Sequence, residues 1–356
     1  GANVRVLAID VPSGVQGDRP EVEGPALKAF CTATFGGYKL AHKLQPAASL
    51  CGMLSTMEIG LDAFLPGEAA TLRSNDPTVW AHALNWPTET SHKHERGRLF
   101  VVSGGLAQTG AARLTAQAGL RVGAGAVTLL TPPAALMVAA SSLTAVMTAS
   151  FADAAALVEA TTRASAVVIG PAAGVTEATR ANVEALAQAG RRLVLDADAL
   201  SVFAPNEAAL AKLLTAEAVL TPHAGEFERL FPGLVKASAN KVDAAREGAR
   251  RTGAVVLLKG FDTVVAHPDG RAVVNTMASP FLATAGSGDV LAGVIGGLMA
   301  QGMSAFEAAC AGAWMHGAAG VQAGPGMTAE DLDAELRSVV AKLHKTWGEK
   351  RTEPEG

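Results

Sequence analysis

The chain has 356 residues, 49% hydrophobic and 17% charged, with 38 glycines, few aromatics and a net charge of −4. This allows more than one domain, closely packed helices and buried parallel strands, and gives no reason to expect nucleic acid or an anionic membrane as partner. Cys31, Cys51 and Cys310 form no CxxC pair, which argues against a disulfide frame or zinc site and for a reducing compartment, and the apolar stretch 290–300 is too short to span a bilayer; a cytoplasmic location is expected.

In chain order, Val4 to Ile9 reads as a buried strand with almost nothing before it, so the N-terminal part of a domain is expected to be missing. Asp10-Val11-Pro12-Ser13-Gly14 closes that strand with a turn. Ligand-binding groups in open α/β sheets gather at such carboxyl ends. Asp10 and Ser13 are candidates for a ribose hydroxyl or a cation, although on residue types alone an Asp capping the turn is the simpler reading. Ala29 to Phe35 predicts a second strand, and the region ends near Leu61. From Pro66 to about Gly97 the periodicity is lost, and Pro66-Gly67, Asn75-Asp76-Pro77 and Trp86-Pro87 mark a linker with one short helix over 76–84. His92 and His94 have a spacing that suits a metal, but with no further ligands beside them they read as a polar lead-in.

Arg98 to Ser103 opens a second α/β region. Further strands are expected over 126–130, 166–170, 193–195, 219–221 and 255–258. Helices are expected over 109–122, 151–161, 176–189, 240–252, 304–323 and 328–345, with Thr176 as a cap. Residues 263–266 and 272–275 flank Pro268-Asp269-Gly270 as a hairpin. Residues 346–356, charged and carrying Pro354, read as a frayed tail. The alternation from 99 to 266 predicts a mainly parallel sheet with helices on both faces. Gly104, Gly174, Asp196, His223 and Lys259 then fall at strand carboxyl ends, and such a set is hard to explain as packing.

The most informative stretch is Ala283-Thr284-Ala285-Gly286-Ser287-Gly288-Asp289-Val290, a Gly-rich turn running into a helix expected over 290–301. Gly286 and Gly288 permit unusual backbone conformations and close approach to a ligand, and a helix N-terminus favours a phosphate. Asp289 has two readings, a base beside the phosphate being transferred or a plain N-cap. Gly293, Gly296 and Gly297 leave one helix face nearly bare, which close approach of a neighbouring element would offset. The stretch is neither a dinucleotide fingerprint nor a P-loop.

Taken together, residues 92–343 resemble the ADP-dependent NAD(P)H-hydrate dehydratases of the ribokinase-like superfamily. The resemblance rests on His92-Lys93 with Gly97, Thr109-Gly110-Ala111-Ala112, Gly123-Ala124-Gly125, Gly170-Pro171-Ala172-Ala173-Gly174, Asp196-Ala197-Asp198-Ala199-Leu200, Thr221-Pro222-His223-Ala224-Gly225-Glu226, Leu258-Lys259-Gly260 and Gly286-Ser287-Gly288-Asp289. Residues 1–65 resemble the tail of an NAD(P)H-hydrate epimerase domain, through Asp10 to Gly14, Thr34-Phe35-Gly36 and Lys39. The resemblance implies a ribokinase-like α/β region over 98–345, a partial Rossmann-like epimerase segment over 1–65, a linker over 66–97 and a tail over 346–356.

It further implies that Ala111, Gly174, His223 and Asp289 contact the hydrated nicotinamide nucleotide (NADHX or NADPHX). Lys259, Gly260, Phe261, Asp262, Thr263, Gly286, Ser287 and Gly288 would contact the adenine nucleotide. In the first segment Asp10 would contact substrate and Ser13 would bind potassium. ADP would donate the phosphoryl group, magnesium would accompany it, and Asp289 would be the base. A homo-oligomer is expected, and epimerase (isomerase) activity is not expected from this chain alone. Two departures bear on loop fit: Ala172-Ala173 where bulkier apolar residues are usual, and Ser287 where threonine is commoner. A small-molecule hydroxyl kinase, or a nucleotide-binding protein without turnover, are the alternatives.

Overall fold

A computed structural model of the chain describes residues 4–64, 70–90, 92 and 95–349; Lys93 and His94 of the histidine lead-in and residues 350–356 of the expected tail lie outside them. The strands are β1 (Leu7–Ile9), β2 (Cys31–Phe35), β3 (Met53–Met57), β4 (Leu72–Ser74), β5 (Arg98–Val102), β6 (Ala126–Thr131), β7 (Met147–Ser150), β8 (Ala166–Ile169), β9 (Leu193–Leu195), β10 (Val219–Leu220), β11 (Val255–Leu258), β12 (Thr263–Ala266) and β13 (Ala272–Asn275). The helices are α1 (Leu40–Lys43), α2 (Thr109–Arg121), α3 (Leu136–Ser142), α4 (Ala154–Ala160), α5 (Glu177–Gln188), α6 (Asp198–Ser201), α7 (Glu207–Ala211), α8 (Ala224–Leu230), α9 (Leu234–Ala237), α10 (Lys241–Thr252), α11 (Ser287–Ala300), α12 (Ala305–Ala323) and α13 (Leu332–Leu343).

β1, β2 and β3 form a small parallel sheet, and the remaining strands form a second sheet in the order β4-β13-β12-β11-β10-β9-β8-β5-β6-β7. In the large sheet only β12, among the described residues, runs against its neighbours. Its central strands are continuous apolar runs such as VVLL in β11 and AVVI in β8, buried on both faces, as a parallel sheet covered by helices requires. One face packs on α2, α11, α12 and α13, and the other on helices from α4 to α10.

Four expectations are corrected. The strand expected over 4–9 is limited to β1, in which Ala8 is buried and Leu7 and Ile9 are 61% and 64% exposed. The stretch read as linker carries β4, which pairs in parallel with β13. In place of a helix over 76–84 there are two single 3₁₀ turns, Pro77–Val79 and Ala81–Ala83, the first capped by Asp76. Their order comes from burial: Trp80 is fully buried and donates Nε1 to Asn75 Oδ1 at 3.1 Å. Finally, residues 344–348 continue α13 as a π-helical turn. β3, β7, α3 and the short helices α6 to α9 carried too little periodicity to be read beforehand.

The bare glycine face of α11 has its partner. A Cβ on Gly293 would lie 2.1 Å from Thr115 O, and one on Gly297 2.6 Å from Gly119 O. Backbone therefore touches backbone between α11 and α2, and Thr115 Oγ1 donates to Asp289 O at 3.0 Å. This contact fixes the first turn of α11 against α2 at the carboxyl rim of the sheet.

Candidate active site

The Gly-rich turn enters its helix three residues earlier than periodicity suggested. Gly286 (φ +86°) occupies the N-cap, and Ser287, Gly288 and Asp289 form the first turn. A side chain on Gly286 would be strained at that φ and would fall 2.8 Å from Leu114 and 2.9 Å from Ala329. The capping reading of Asp289 gives way, since Gly286 holds that position. The first N–H groups of a helix lack intrahelical partners and carry the positive end of its dipole, so an anion is favoured beside this turn.

Facing the turn is a buried charge cluster. Lys259, at the end of β11, donates Nζ to Asp196 Oδ1, at the end of β9, over 2.8 Å. Glu226 Oε2 is 3.9 Å from the same ammonium, and Thr221 Oγ1 donates to Asp196 Oδ1 at 2.8 Å. Burial opposes the charge on Lys259, but Asp196, then Glu226, outweigh it, and the ammonium holds its proton more tightly than an ordinary lysine. Burial, with Asp196 adding and Lys259 opposing, pushes the Asp289 carboxyl up to about 6. A carboxylate tuned to that range can accept a proton near neutral pH.

His223 caps α8: its Nδ1 accepts from the N–H groups of Gly225 and Glu226 at 2.9 and 3.2 Å, and Glu226 Oε2 accepts from His223 N–H at 2.9 Å. Sequence reasoning missed His316. It is buried in α12, its Nε2 lies 3.0 Å from Ser287 Oγ, and burial depresses its pKa to about 4, so the ring is neutral. No local motif marks it; only the packing of α12 against α11 brings it to the turn.

A second part of the rim lies where the strand order reverses. After β7 the chain crosses back so that β8 pairs with the other side of β5, and the loops beyond β5 and β8 meet at this switch point, the usual place for a ligand crevice. A Cβ on Gly104 would lie 1.8 Å from Ala172 O. Ala172 (φ +53°) and Ala197 (φ +46°) hold left-handed conformations that cost non-glycine residues about 1–3 kcal/mol. Gly174 N–H donates to Asp198 Oδ2 at 2.8 Å. Ala111 stands in the first turn of α2, where its carbonyl accepts from the Thr115 hydroxyl that also bonds Asp289 O.

The structure brings His223, Lys259, Gly260, Phe261, Thr263, Ser287 and Gly288 around one cavity of about 480 Å³, with Asn275 and His316 beside them. Asp262 turns away from it toward Lys241 and Gln45. A larger cavity, about 660 Å³, lies between α2 and α13, and none of the expected site residues line it. Asp10 and Ser13 belong to the small sheet, apart from this cavity. Burial works against the Asp10 charge, but bonds from Lys39 and Thr34 hold its carboxyl below the usual value. Among the described residues no group of three or more His, Cys, Asp or Glu could hold a metal ion, and Asp196 and Glu226 are engaged with Lys259. An ion here would be carried on an anionic ligand, as magnesium is by nucleotide phosphates. Among the described residues no helix is long and apolar enough to cross a membrane.

Comparison with known proteins fits this geometry. A sequence profile described as NAD(P)H-hydrate dehydratase matches residues 99–338. The chain is 37% identical over 338 residues to the bifunctional NAD(P)H-hydrate repair enzyme Nnr of Moorella thermoacetica, covering 90% of this chain and 63% of that one. Against the enzyme of the same name from Escherichia coli it is 32% identical over 342 residues, covering 94% and 65%. The chain thus spans somewhat less than two thirds of the length of these relatives. Among solved structures, an ADP/ATP-dependent NAD(P)H-hydrate dehydratase from Bacillus subtilis, co-crystallized with ATP/Mg²⁺, superposes with a TM-score of 0.64 at 25% identity, covering 77% of this chain and 98% of that one. A ribokinase-like superfamily protein from Enterococcus faecalis (TM-score 0.66, 22% identity, 77% of this chain and 96% of that one) shares the fold.

Proposed function

Because this chain belongs to the NAD(P)H-hydrate dehydratase family, we propose that it repairs damaged nicotinamide nucleotides, dehydrating (6S)-NADHX or NADPHX to NADH or NADPH at the expense of ADP. The observation that carries this reading is Asp289: a carboxyl raised to about 6, in the first turn of a Gly-capped helix, facing Lys259.

Asp289 takes the proton of the ring hydroxyl as its oxygen attacks the terminal phosphorus of ADP. The bond from that phosphorus to the bridging oxygen breaks and AMP leaves. The new phosphate ester is a far better leaving group than hydroxide. It departs with the C–O electron pair, and loss of a proton from the neighbouring carbon restores the ring double bond. The N–H groups of the α11 turn stabilise the anionic oxygens, and Lys259, kept charged by Asp196, adds a fixed positive field. Magnesium, when carried in on the nucleotide, screens the phosphate charge.

In this reading Lys259, Gly260, Phe261 and Thr263 with Gly286 to Gly288 form the nucleotide side, and Ala111, Gly174 and His223 the side of the hydrated ring. Residues 1–65 are an epimerase-like segment and 98–345 the dehydratase region, to whose sheet the stretch between them adds β4. Asp10 is the substrate contact of the first segment. Ser13 offers one exposed hydroxyl after β1, which would need oxygens from elsewhere to hold potassium. The protein works as a homo-oligomer in the cytoplasm, a location supported by its three unpaired cysteines.

The test is an absorbance assay for regenerated NADH, with hydrated NADH and Mg²⁺ mixed with ADP, with ATP or with neither. A rise that requires ADP is expected. No rise with either nucleotide, from protein that binds ADP, would overturn the reading in favour of a hydroxyl kinase or a nucleotide binder.

A further inference from the structure

The loop that follows β11 is fastened from outside its own region. Asp262 is 7% exposed, and both of its carboxylate oxygens are taken. Oδ1 accepts from Lys241 Nζ at 2.6 Å, and Oδ2 accepts from the backbone N–H of Gln45 at 2.9 Å. Lys241 Nζ also donates to Lys259 O at 3.4 Å. Gly260 leaves room for this ammonium, since a Cβ there would lie 2.3 Å from it.

Gln45 is delivered by the segment that begins at Lys39. Its neighbour Leu44 is fully buried in the core on one face of the large sheet, with Leu40 packed beside it. The other end of the segment belongs to the small sheet. Lys39 Nζ bonds the Asp10 carboxylate and Thr34 Oγ1, and His42 Nε2 lies 2.7 Å from Asp10 O. Residues 39–45 therefore bridge the rim of the small sheet and the loop of the large one.

We propose that this bridge positions the adenine-nucleotide site: Leu44 and the Gln45 N–H of the first region hold Asp262, and Asp262 with Lys241 holds the Lys259–Thr263 loop in its binding geometry. Asp262 is then a positioning residue and not a ligand of the nucleotide. The proposal rests on reading the 480 Å³ cavity as the nucleotide site. A buried carboxylate keeps a loop in one place only while its donors are present, because losing one leaves an acceptor desolvated and unpaired. The affinity of the large-sheet region for nucleotide thus depends on a backbone group of the small-sheet region.

The experiment compares the wild-type chain, Gln45→Pro, Gln45→Ala, Leu44→Ala and Asp262→Asn by calorimetric ADP titration, steady-state kinetics and thermal melting. Gln45→Pro removes the N–H and leaves Asp262 and Lys241 in place. Gln45→Ala keeps the N–H. Gln45→Pro and Asp262→Asn are expected to weaken ADP binding and raise its KM about tenfold, with kcat within about twofold because Asp289 is untouched. Leu44→Ala is expected to move ADP affinity the same way, by loosening the anchor. Unchanged ADP affinity in folded Asp262→Asn would overturn the proposal even if Gln45→Pro failed to fold. So would an equal loss in Gln45→Ala and Gln45→Pro, or a fall in kcat alone. Wild-type protein that binds neither ADP nor ATP would remove the premise. Wild type that binds ADP but regenerates no NADH would overturn the dehydratase reading only, and the affinity comparison would still decide the bridge.

Discussion

Lys259 donates to Asp196 over 2.8 Å across the end of β10, and the two charges of this contact both act on Asp289. Asp196, 2% exposed, has Lys259 as its cationic partner and Thr221 as a neutral one. Asp289, beside them, is raised by burial and by Asp196 and restrained by Lys259.

Lys259→Met leaves the Asp196 carboxylate buried without a counter-charge. Breaking one side of a buried pair costs about 3–5 kcal/mol, so a large fall in the denaturant midpoint is expected. A midpoint equal to wild type would mean that Asp196 finds water or a proton readily.

Asp289→Asn keeps shape and removes the base. Turnover is expected to fall about 10²–10⁴-fold, with ADP affinity changed little. In wild type, kcat/KM should lose a factor of ten per unit below pH 6, because the working form is the carboxylate and its pKa is about 6. Near-normal turnover of the variant, or a profile flat down to pH 5, would remove Asp289 from this role.

The same carboxyl has a stability signature. Folding raises its pKa from 3.8 to about 6, so the folded state binds the proton more tightly than the unfolded chain. Its favourable contribution is fully present below 3.8 and is lost as pH rises through about 6. Asp289→Asn should therefore melt higher than wild type at pH 8, and the gap should close toward pH 4. Melting curves across that range decide it.

His316 acts with the opposite sign. Burial lowers its pKa from 6.5 to about 4, so below pH 6.5 the unfolded chain binds a proton that the folded chain refuses. Its stability contribution is intact above 6.5 and falls away toward pH 4, by about 3 kcal/mol in all. His316→Gln should flatten this limb and, by disturbing Ser287 Oγ, raise the KM for ADP a few-fold.

Gly293→Ala tests the α2–α11 contact. Helix propensity alone predicts a gain of about 1 kcal/mol, but the new Cβ would lie 2.1 Å from Thr115 O. Backbone must shift, so a net destabilisation of about 1–3 kcal/mol is expected together with lost turnover, since Asp289 O is tied to the same Thr115. Gly105→Ala, with nothing within 4 Å of the added carbon, should leave the melting temperature unchanged.

Sequence alone determined the alternation of strands and helices in the large region and the hairpin after β11, because buried parallel strands are short unbroken apolar runs and turns demand glycine or proline. It also pointed to the rim: Gly104, Gly174, Asp196, His223 and Lys259 follow apolar runs, and a strand's end fixes where the next residue faces. Charge pairing, strand order and cap position were decided only in three dimensions. Lys259 and Asp196 are 63 residues apart, and no local pattern says which carboxylate a lysine will meet. Asp289 moved from possible cap to first-turn residue because Gly286 alone could adopt φ +86° against Leu114 and Ala329. His316, Lys241 and Gln45 carry no motif; each reaches the site through the packing of an element whose own sequence serves the core.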